Sequence, residues 1–335
     1  MGDISIHLPG KARGAQGQHG WGYSRTTRAA YNSCPFPSRP PGSPCRTSMS
    51  RFLTTTFALV FSCAAVAQSS SPLPTASPQI VEVQSGAMHL KAYFWKPSGA
   101  GPFPAVLFNH GSGAADAQHT AGQTMAEAAA NLAPIFLKHG YAFFYLCRRG
   151  QGLSADQAPF MQDLLKREEA AKGKEARQHL HYVLVTGEQL DDSLAGFRFL
   201  KTAVGIDPRR IAVIGHSFGG VITLLSGERD ETIRAEVTFG AGANSWKLSQ
   251  ELRERVFAAV GKTSAPIMLI HAANDFDTTA GTAVAGELER LHKPHVLKIY
   301  PALGKSSEDG HNLMYLAIPA WEGDVFQFLD TNTKP

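Results

Sequence analysis

The chain has 335 residues, 43% of them hydrophobic and 18% charged, a composition that excludes a disordered polyelectrolyte. Its formal charge of +4 comes from the front: residues 1–67 hold seven of the 32 basic and one of the 28 acidic side chains, leaving 25 against 27, a net −2. That remainder has no polybasic run, so nucleic acid is not an expected partner.

Residues 1–48 are rich in Gly, Pro, Ser and Arg without helical or strand periodicity, and read as a segment upstream of the natural product. Met49 opens another pattern: a basic start at Ser50-Arg51, an apolar run from Phe52 to Val66, then Ala65-Val66-Ala67 as a small-x-small cleavage site. Residues 49–67 therefore read as a secretory signal peptide, since the run is too short for a comfortable membrane span. The competing reading is a buried helix. Lipoprotein processing at Cys63 is disfavoured, because Phe61 stands where a small residue is needed. Export to the periplasm or medium is expected, with translation starting at Met49 and cleavage after Ala67. No stable membrane association is expected after cleavage. Residues 68–78, rich in Ser and Pro, make a flexible mature N-terminus, and residues 79–335 one folded domain. Of Cys34, Cys45, Cys63 and Cys147, only Cys147 would survive cleavage, so no internal disulfide is expected and stability must come from a core.

The mature part opens with two strands, Ile80–Gln84 and Met88–Trp95, around Ser85-Gly86. Pro104–Phe108 is a continuous apolar run of the kind covered by helices on both faces. The segment from Ala121 to His139 has helical spacing and a stop at Gly140, and Tyr141–Cys147 is another buried-type strand. Residues 155–185 are more polar and predict helices outside the main sheet. Glu188–Ala203 is an amphipathic helix, Asp207-Pro208 a turn and Arg210–Gly215 a strand, followed by a helix from Ser217 towards Gly227. Strands at Ala235–Phe239, Pro266–His271 and Val296–Tyr300 alternate with helices near Trp246–Val260 and Ala280–Leu291, and a last helix spans Pro319 to Leu329. This alternation predicts an α/β fold: a mainly parallel central sheet with helices on both faces, an antiparallel edge from the opening strands, and a small cap. Chemistry then belongs on loops at the carboxyl ends of the strands.

Gly215-His216-Ser217-Phe218-Gly219 sits between an apolar strand and a helix. A serine hydroxyl is a poor nucleophile, and such a turn lifts it above the sheet beside a positive helix N-terminus. With Ser217 as candidate nucleophile, the topology calls for an acid and then a histidine downstream. Asp275 follows the strand ending at His271, and His311 lies in Glu308-Asp309-Gly310-His311, read as a loop before the final helix. His311 would exchange the proton while Asp275 orients it. Asp277 remains an alternative carboxylate, with Asp275 then capping a turn. Asp309 precedes the histidine and shapes its loop. His271 reads as structural or at the pocket rim, and His295 lies at the wrong end of its strand. His179 and His181 have no Cys or acidic cluster at ligand spacing, so neither a metal nor another cofactor is expected.

An oxyanion needs two donors aimed at one point. The Phe218 N–H follows from the nucleophile turn, and the Ser112 N–H, in Asn109-His110-Gly111-Ser112-Gly113, is the candidate second donor; His110 braces that loop. Specificity is expected from residues 155–185 and 243–263. Phe160, Met161, Leu164 and Trp246 are candidates for an apolar lining, with ordinary core packing as the competing role. Arg148 is a candidate for binding a substrate carboxylate, with Arg149 beside it; a structural salt bridge is the alternative.

These motifs, together with Arg149-Gly150-Gln151-Gly152-Leu153-Ser154, Gly219-Gly220, His271 to Asp275 and Gly310-His311, resemble the α/β-hydrolase superfamily across residues 80–330. The spacing is most similar to the dienelactone hydrolase-like branch and its acyl-peptidase-like neighbours. The resemblance implies the α/β-hydrolase fold, Ser217, Asp275 and His311 as a triad, and Ser112 and Phe218 as oxyanion donors. It departs at one position: dienelactone hydrolases proper carry a cysteine nucleophile, and here the residue is serine. No β-propeller of the large oligopeptidases is expected, because too little chain precedes the domain. The expected partner is a small-molecule ester, cleaved through an acyl-enzyme. A short-peptide peptidase or amidase with the same triad is the alternative, and a non-catalytic binding protein on this fold is a third reading. The native substrate and the oligomeric state are not legible.

Overall fold

A computed structural model describes residues 77–113 and 123–334, which fall within one compact unit, Ser69–Pro335. The segments expected to be an upstream stretch (1–48) and a signal peptide (49–67), and most of the 68–78 stretch, lie outside the described residues, as do the first two residues of the helix expected from Ala121.

Eight strands form one sheet: β1 (Gln79–Ser85), β2 (Met88–Trp95), β3 (Phe103–Asn109), β4 (Ala142–Cys147), β5 (Ile206–His216), β6 (Glu236–Phe239), β7 (Ile267–Ala272) and β8 (His295–Tyr300). Their spatial order is β1-β2-β4-β3-β5-β6-β7-β8. β1 pairs with β2, and β2 with β4, in antiparallel fashion; every other pairing is parallel. All eight expected strands are present, because short apolar runs between turn signals have few other ways to bury both faces. β5 begins earlier than expected. Asp207-Pro208 lies within it, and Ile206 pairs with Phe103 across a register shift before Ala105.

The helices are α1 (Met125–Lys138), α2 (Met161–Lys172), α3 (Lys174–Thr186), α4 (Glu188–Thr202), α5 (Phe218–Ser226), α6 (Gln250–Lys262), α7 (Thr279–Arg290), α8 (Ser307–His311), α9 (Leu313–Leu316) and α10 (Ile318–Thr333). α1 starts at a capping box in which the Thr124 hydroxyl accepts from the Glu127 N–H and the Glu127 carboxylate accepts from the Thr124 N–H. The helix expected from Trp246 begins instead at Gln250, where the Ser249 hydroxyl accepts from the Leu252 N–H. Residues 241–248 are turns, opened by Gly240 and Gly242 at φ 59° and 70°. The expected loop before His311 is the short helix α8, with a second capping box between Ser306 and Asp309.

Alternation along β5 divides the core. Ala212 and Ile214 pack with α1 and α10 residues such as Phe136, Trp321 and Phe326, whereas Ile211 and Val213 pack towards Phe197 and Leu200 of α4. A third cluster joins α5, α6 and α7 and includes Met161 and Trp246. Burial of nearly every side chain of β3 to β7 makes register shifts costly, since a one-residue slip would turn each side chain to the other face. The carboxyl ends of the central strands are thereby held level: Asn109 pairs with Gly215, His216 with Phe239, and Phe239 with Ile270. The loops after β3, β5, β6 and β7 emerge at this one edge.

Candidate active site

Ser217 sits between β5 and α5 with φ 54° and ψ −116°, a backbone that L-residues rarely adopt. Its N–H donates to the Phe239 carbonyl at 2.8 Å, which ties the turn to β6. The glycines around it make room: a Cβ at Gly215 would strike the Gly219 carbonyl, and one at Gly219 the Asn109 carbonyl. Phe218 is the first residue of α5, so its N–H has no acceptor within the helix. From the other side, the Gly111 backbone closes on the turn; a Cβ there would lie 3.6 Å from Ser217 Cβ. Ser112 and Gly113 follow, Gly113 at φ 24°, and the Ser112 carbonyl accepts from Gln151 Nε2 at 2.9 Å.

His311 ends α8 and is buried. Its carbonyl is 2.9 Å from His216 Nε2, and the two rings are 4.9 Å apart, so the residue preceding Ser217 rests directly on it. His311 Nδ1 is 2.7 Å from Asp275 Oδ1. The same carboxylate oxygen accepts from the Phe276 N–H at 2.7 Å, and the Phe276 ring covers His311 at 4.9 Å. Asp275 Oδ2 is 2.8 Å from His271 Nδ1. Burial alone would push the Asp275 carboxyl up, but the hydrogen bonds from His271 and His311 hold it well below the usual carboxylate range. Gly240, at φ 59°, leaves space for this assembly: a Cβ would lie 2.9 Å from His311 Nδ1 and 3.1 Å from Asp275 Oδ2.

Of the two carboxylates that the sequence left open, Asp275 is therefore the one brought to His311. Asp277 caps the start of α7 instead, its Oδ1 accepting from the Thr279 N–H and hydroxyl at 2.9 and 2.6 Å. Asp309 accepts from the backbone of Lys305 and Ser306. His271 lies buried behind Asp275 and not at a rim. The contact between them lay in the sequence as a histidine at a strand end, four residues before an acid. His295 lies with Nδ1 2.9 Å from the Lys293 carbonyl and Nε2 3.9 Å from Glu289, away from Ser217, and His179 pairs with Glu251 at the surface. Among the described residues, no group of three or more His, Cys, Asp or Glu side chains is placed to hold a metal ion.

A cleft of about 320 Å³ opens over Ser112, Ser217 and Phe218. One wall is Gln162 of α2 with Arg177, Gln178 and His181 of α3; the other is Gly242, Asn244, Ser245, Leu248 and Ser249. His181 stands edge-on to the Phe218 ring at 5.3 Å, and burial with Arg177 nearby pushes its pKa down to about 4. Both segments expected to carry specificity thus border the cleft, but through different side chains from those expected. Met161 and Trp246 belong to the core, where Trp246 packs edge-on to Phe257, and neither they nor Phe160 and Leu164 line the cleft. The cleft-lining amides and hydroxyls left no periodic signal that would have singled them out.

Arg148 is a correction as well. It is fully buried, donating through Nε to Gln189 Oε1 at 3.0 Å and through Nη2 to the carbonyls of His110 and Gly111 at 2.8 and 3.2 Å, so it does not face a substrate in the cleft. Arg149 makes the structural salt bridge, clamping Asp192 at 2.6 Å and 2.9 Å.

The family model of the dienelactone hydrolase family matches residues 90–306, well over half of the chain. Solved structures share the fold at low identity. Acylaminoacyl peptidase of Pyrococcus horikoshii is 19% identical with a TM-score of 0.55 over 78% of this chain and 43% of that one. A puromycin-hydrolyzing peptidase of Mycobacterium tuberculosis is 14% identical with a TM-score of 0.55, over 79% and 42%. Dienelactone hydrolase of Anabaena variabilis is 19% identical with a TM-score of 0.51, over 77% of this chain and 100% of that one. The chain spans less than half the length of the two peptidase chains. With its eight-stranded, mostly parallel sheet and its match across residues 90–306, the chain belongs to the dienelactone hydrolase family and has the α/β-hydrolase fold.

Proposed function

We propose that this protein is a serine hydrolase that cleaves a carboxylic ester through an acyl-enzyme on Ser217. The observation that carries the reading is the 2.7 Å pairing of His311 Nδ1 with Asp275, next to a serine held at φ 54° between β5 and α5. Asp275, kept ionised, fixes the tautomer with the proton on Nδ1 and leaves Nε2 as the base. Ser217 Oγ then attacks the ester carbonyl as its proton passes to Nε2. The tetrahedral oxyanion is received by the N–H groups of Phe218 and Ser112, and collapse expels the alkoxide, which takes the proton from Nε2. Water repeats the sequence on the acyl-enzyme and releases the acid.

A second reading, cleavage of short peptides or amides by the same residues, is favoured by the cleft walls. Gln162, Gln178, Asn244 and Ser245 offer hydrogen-bonding partners suited to a peptide backbone. The two peptidases with the same fold point the same way.

Turnover of aryl esters and of matched aminoacyl amides by the wild type and by Ser217→Ala tests both readings. Loss of at least about 10³-fold in the variant is expected, together with loss of fluorophosphonate labelling. Full activity in Ser217→Ala would overturn the assignment, and a folded wild type that resists the probe would favour a non-catalytic role. We also propose that the protein is exported. The apolar run after Met49 and the Ala65-Val66-Ala67 site support this, and N-terminal sequencing of the exported product should begin at Gln68. A product that keeps residues before Gln68 would contradict it.

A further inference from the structure

Arg148 immediately follows β4 and is wholly buried, yet among the described residues its guanidinium pairs with no carboxylate. The nearby acid, Asp192, is engaged by Arg149 and by the Ser85 hydroxyl at 2.7 Å. Burying a cation in this way is costly unless its donors are used well. Here Nη2 is spent on backbone, reaching the carbonyls of His110 and Gly111, the two residues immediately before Ser112, while Nη1 has no hydrogen-bond partner among the described residues. Gln189 steadies Nε at 3.0 Å. The guanidinium carbon, Cζ, lies over the Phe218 ring, 5.5 Å from its centre. Gln151, also from the β4 loop, holds the Ser112 carbonyl. Three successive carbonyls of the loop after β3 are thus tied back to the segment after β4.

We propose that Arg148 is a positioning residue for the oxyanion site, with one guanidinium bracing both the loop that presents the Ser112 N–H and the residue that presents the Phe218 N–H. This rests on Ser112 and Phe218 being the two donors of the proposed reaction. A planar fork suits the task because it satisfies more than one acceptor in a fixed geometry while its delocalised cation sits over an aromatic ring. A lysine could not do so. Burial pushes the Arg148 pKa down to about 10, which leaves the group charged at neutral pH, on the protein side of the site where negative charge would develop.

Arg148→Met and Arg148→Lys, made in the full chain and checked by thermal melting, test the assignment. Three quantities are read: the acylation rate on an aryl acetate, inhibition by a trifluoromethyl ketone, whose adduct with Ser217 carries an oxyanion, and the affinity for the carboxylate product. Arg148→Met should lower the acylation rate by about 10- to 100-fold and weaken the ketone by a similar factor, less than the loss of a whole donor. Product affinity should change by no more than about threefold. Arg148→Lys, which keeps charge without the fork, should recover only a minor part. Unchanged acylation in Arg148→Met, or an equal loss in all three quantities, overturns the proposal. If Arg148→Met does not fold, Gln189→Ala decides: a smaller loss with the same selectivity supports the proposal, and no loss overturns it. Wild-type acylation that persists in Ser217→Ala would instead overturn the underlying serine-hydrolase reading.

Discussion

His271 Nδ1 lies 2.8 Å from Asp275 Oδ2, the carboxylate oxygen that His311 does not use. One buried aspartate is therefore held between two imidazoles, and the plane of its carboxylate is set from behind. α7 packs against the far edge of His271, where a Cβ at Gly281 would come within 2.6 Å of Cδ2 and Nε2. An outer partner of this kind fixes the orientation of the carboxylate that, in the proposed reaction, orients the base. His271→Asn can place an amide N–H near the position of Nδ1, and His271→Leu cannot. The asparagine variant should keep kcat within about threefold, and the leucine variant should lose about tenfold or more with KM little changed. Equal kcat in the two variants would contradict this role.

The same pairing predicts an acid response. The folded carboxyl of Asp275 is depressed relative to about 3.9 in the unfolded chain. Its contribution to stability is thus present above that value and lost as pH falls through the folded one. His271→Leu removes a hydrogen bond that depresses it, so its acid-unfolding midpoint, followed by circular dichroism, should move to higher pH. A midpoint unchanged or lowered would show that His271 does not stabilise the carboxylate.

Glu236 in β6 shows the opposite sign. It is fully buried, and burial pushes its carboxyl up to about 8, although its Oε1 accepts from the Gly227 N–H at 2.9 Å. The unfolded carboxyl ionises near 4.3, so this group's contribution to stability is fully present below that pH and is lost as pH rises through about 8. Glu236→Gln keeps an acceptor for Gly227 and carries no charge. Its stability relative to wild type should rise between pH 5 and pH 8, by an amount on the order of a few kcal/mol. Melting temperatures of the two proteins at both pH values measure this, and a constant difference would refute it.

Cys147 bears on the comparison with family members that use a cysteine nucleophile. It is buried at the end of β4, and burial pushes its thiol up to about 12. So little thiolate at neutral pH predicts an inert group. Iodoacetamide at pH 7.5 should leave Cys147 unmodified, read by peptide mapping, until the protein is unfolded. Rapid native alkylation of Cys147 would be the contrary result.

Much of the fold was legible because its determinants are local. Every strand from β1 to β8 is an apolar or alternating run between turn residues, and the turn at Ser217 is announced by glycines at 215 and 219. The errors fell where local signals compete. Trp246 reads as the start of an amphipathic helix, yet Gly240 and Gly242 hold that stretch in turns, and the Ser249 cap decides where α6 begins. Glu308 to His311 is too short to show a period, so α8 was not visible as a helix.

What the sequence determined by itself was the sheet, the elbow at Ser217 and the order in which serine, acids and histidine follow one another. The choice of Asp275 over Asp277 was left to the tertiary structure: two acids two residues apart have the same local credentials, and only the approach of α8 over β7 shows which one meets His311. Arg148 illustrates the same limit. In sequence it is a cation in a loop after a strand. Whether it faces the cleft or braces the loop beneath it depends on how segments about 40 and 70 residues away, at His110 and Phe218, pack around it, and no local pattern encodes that distance.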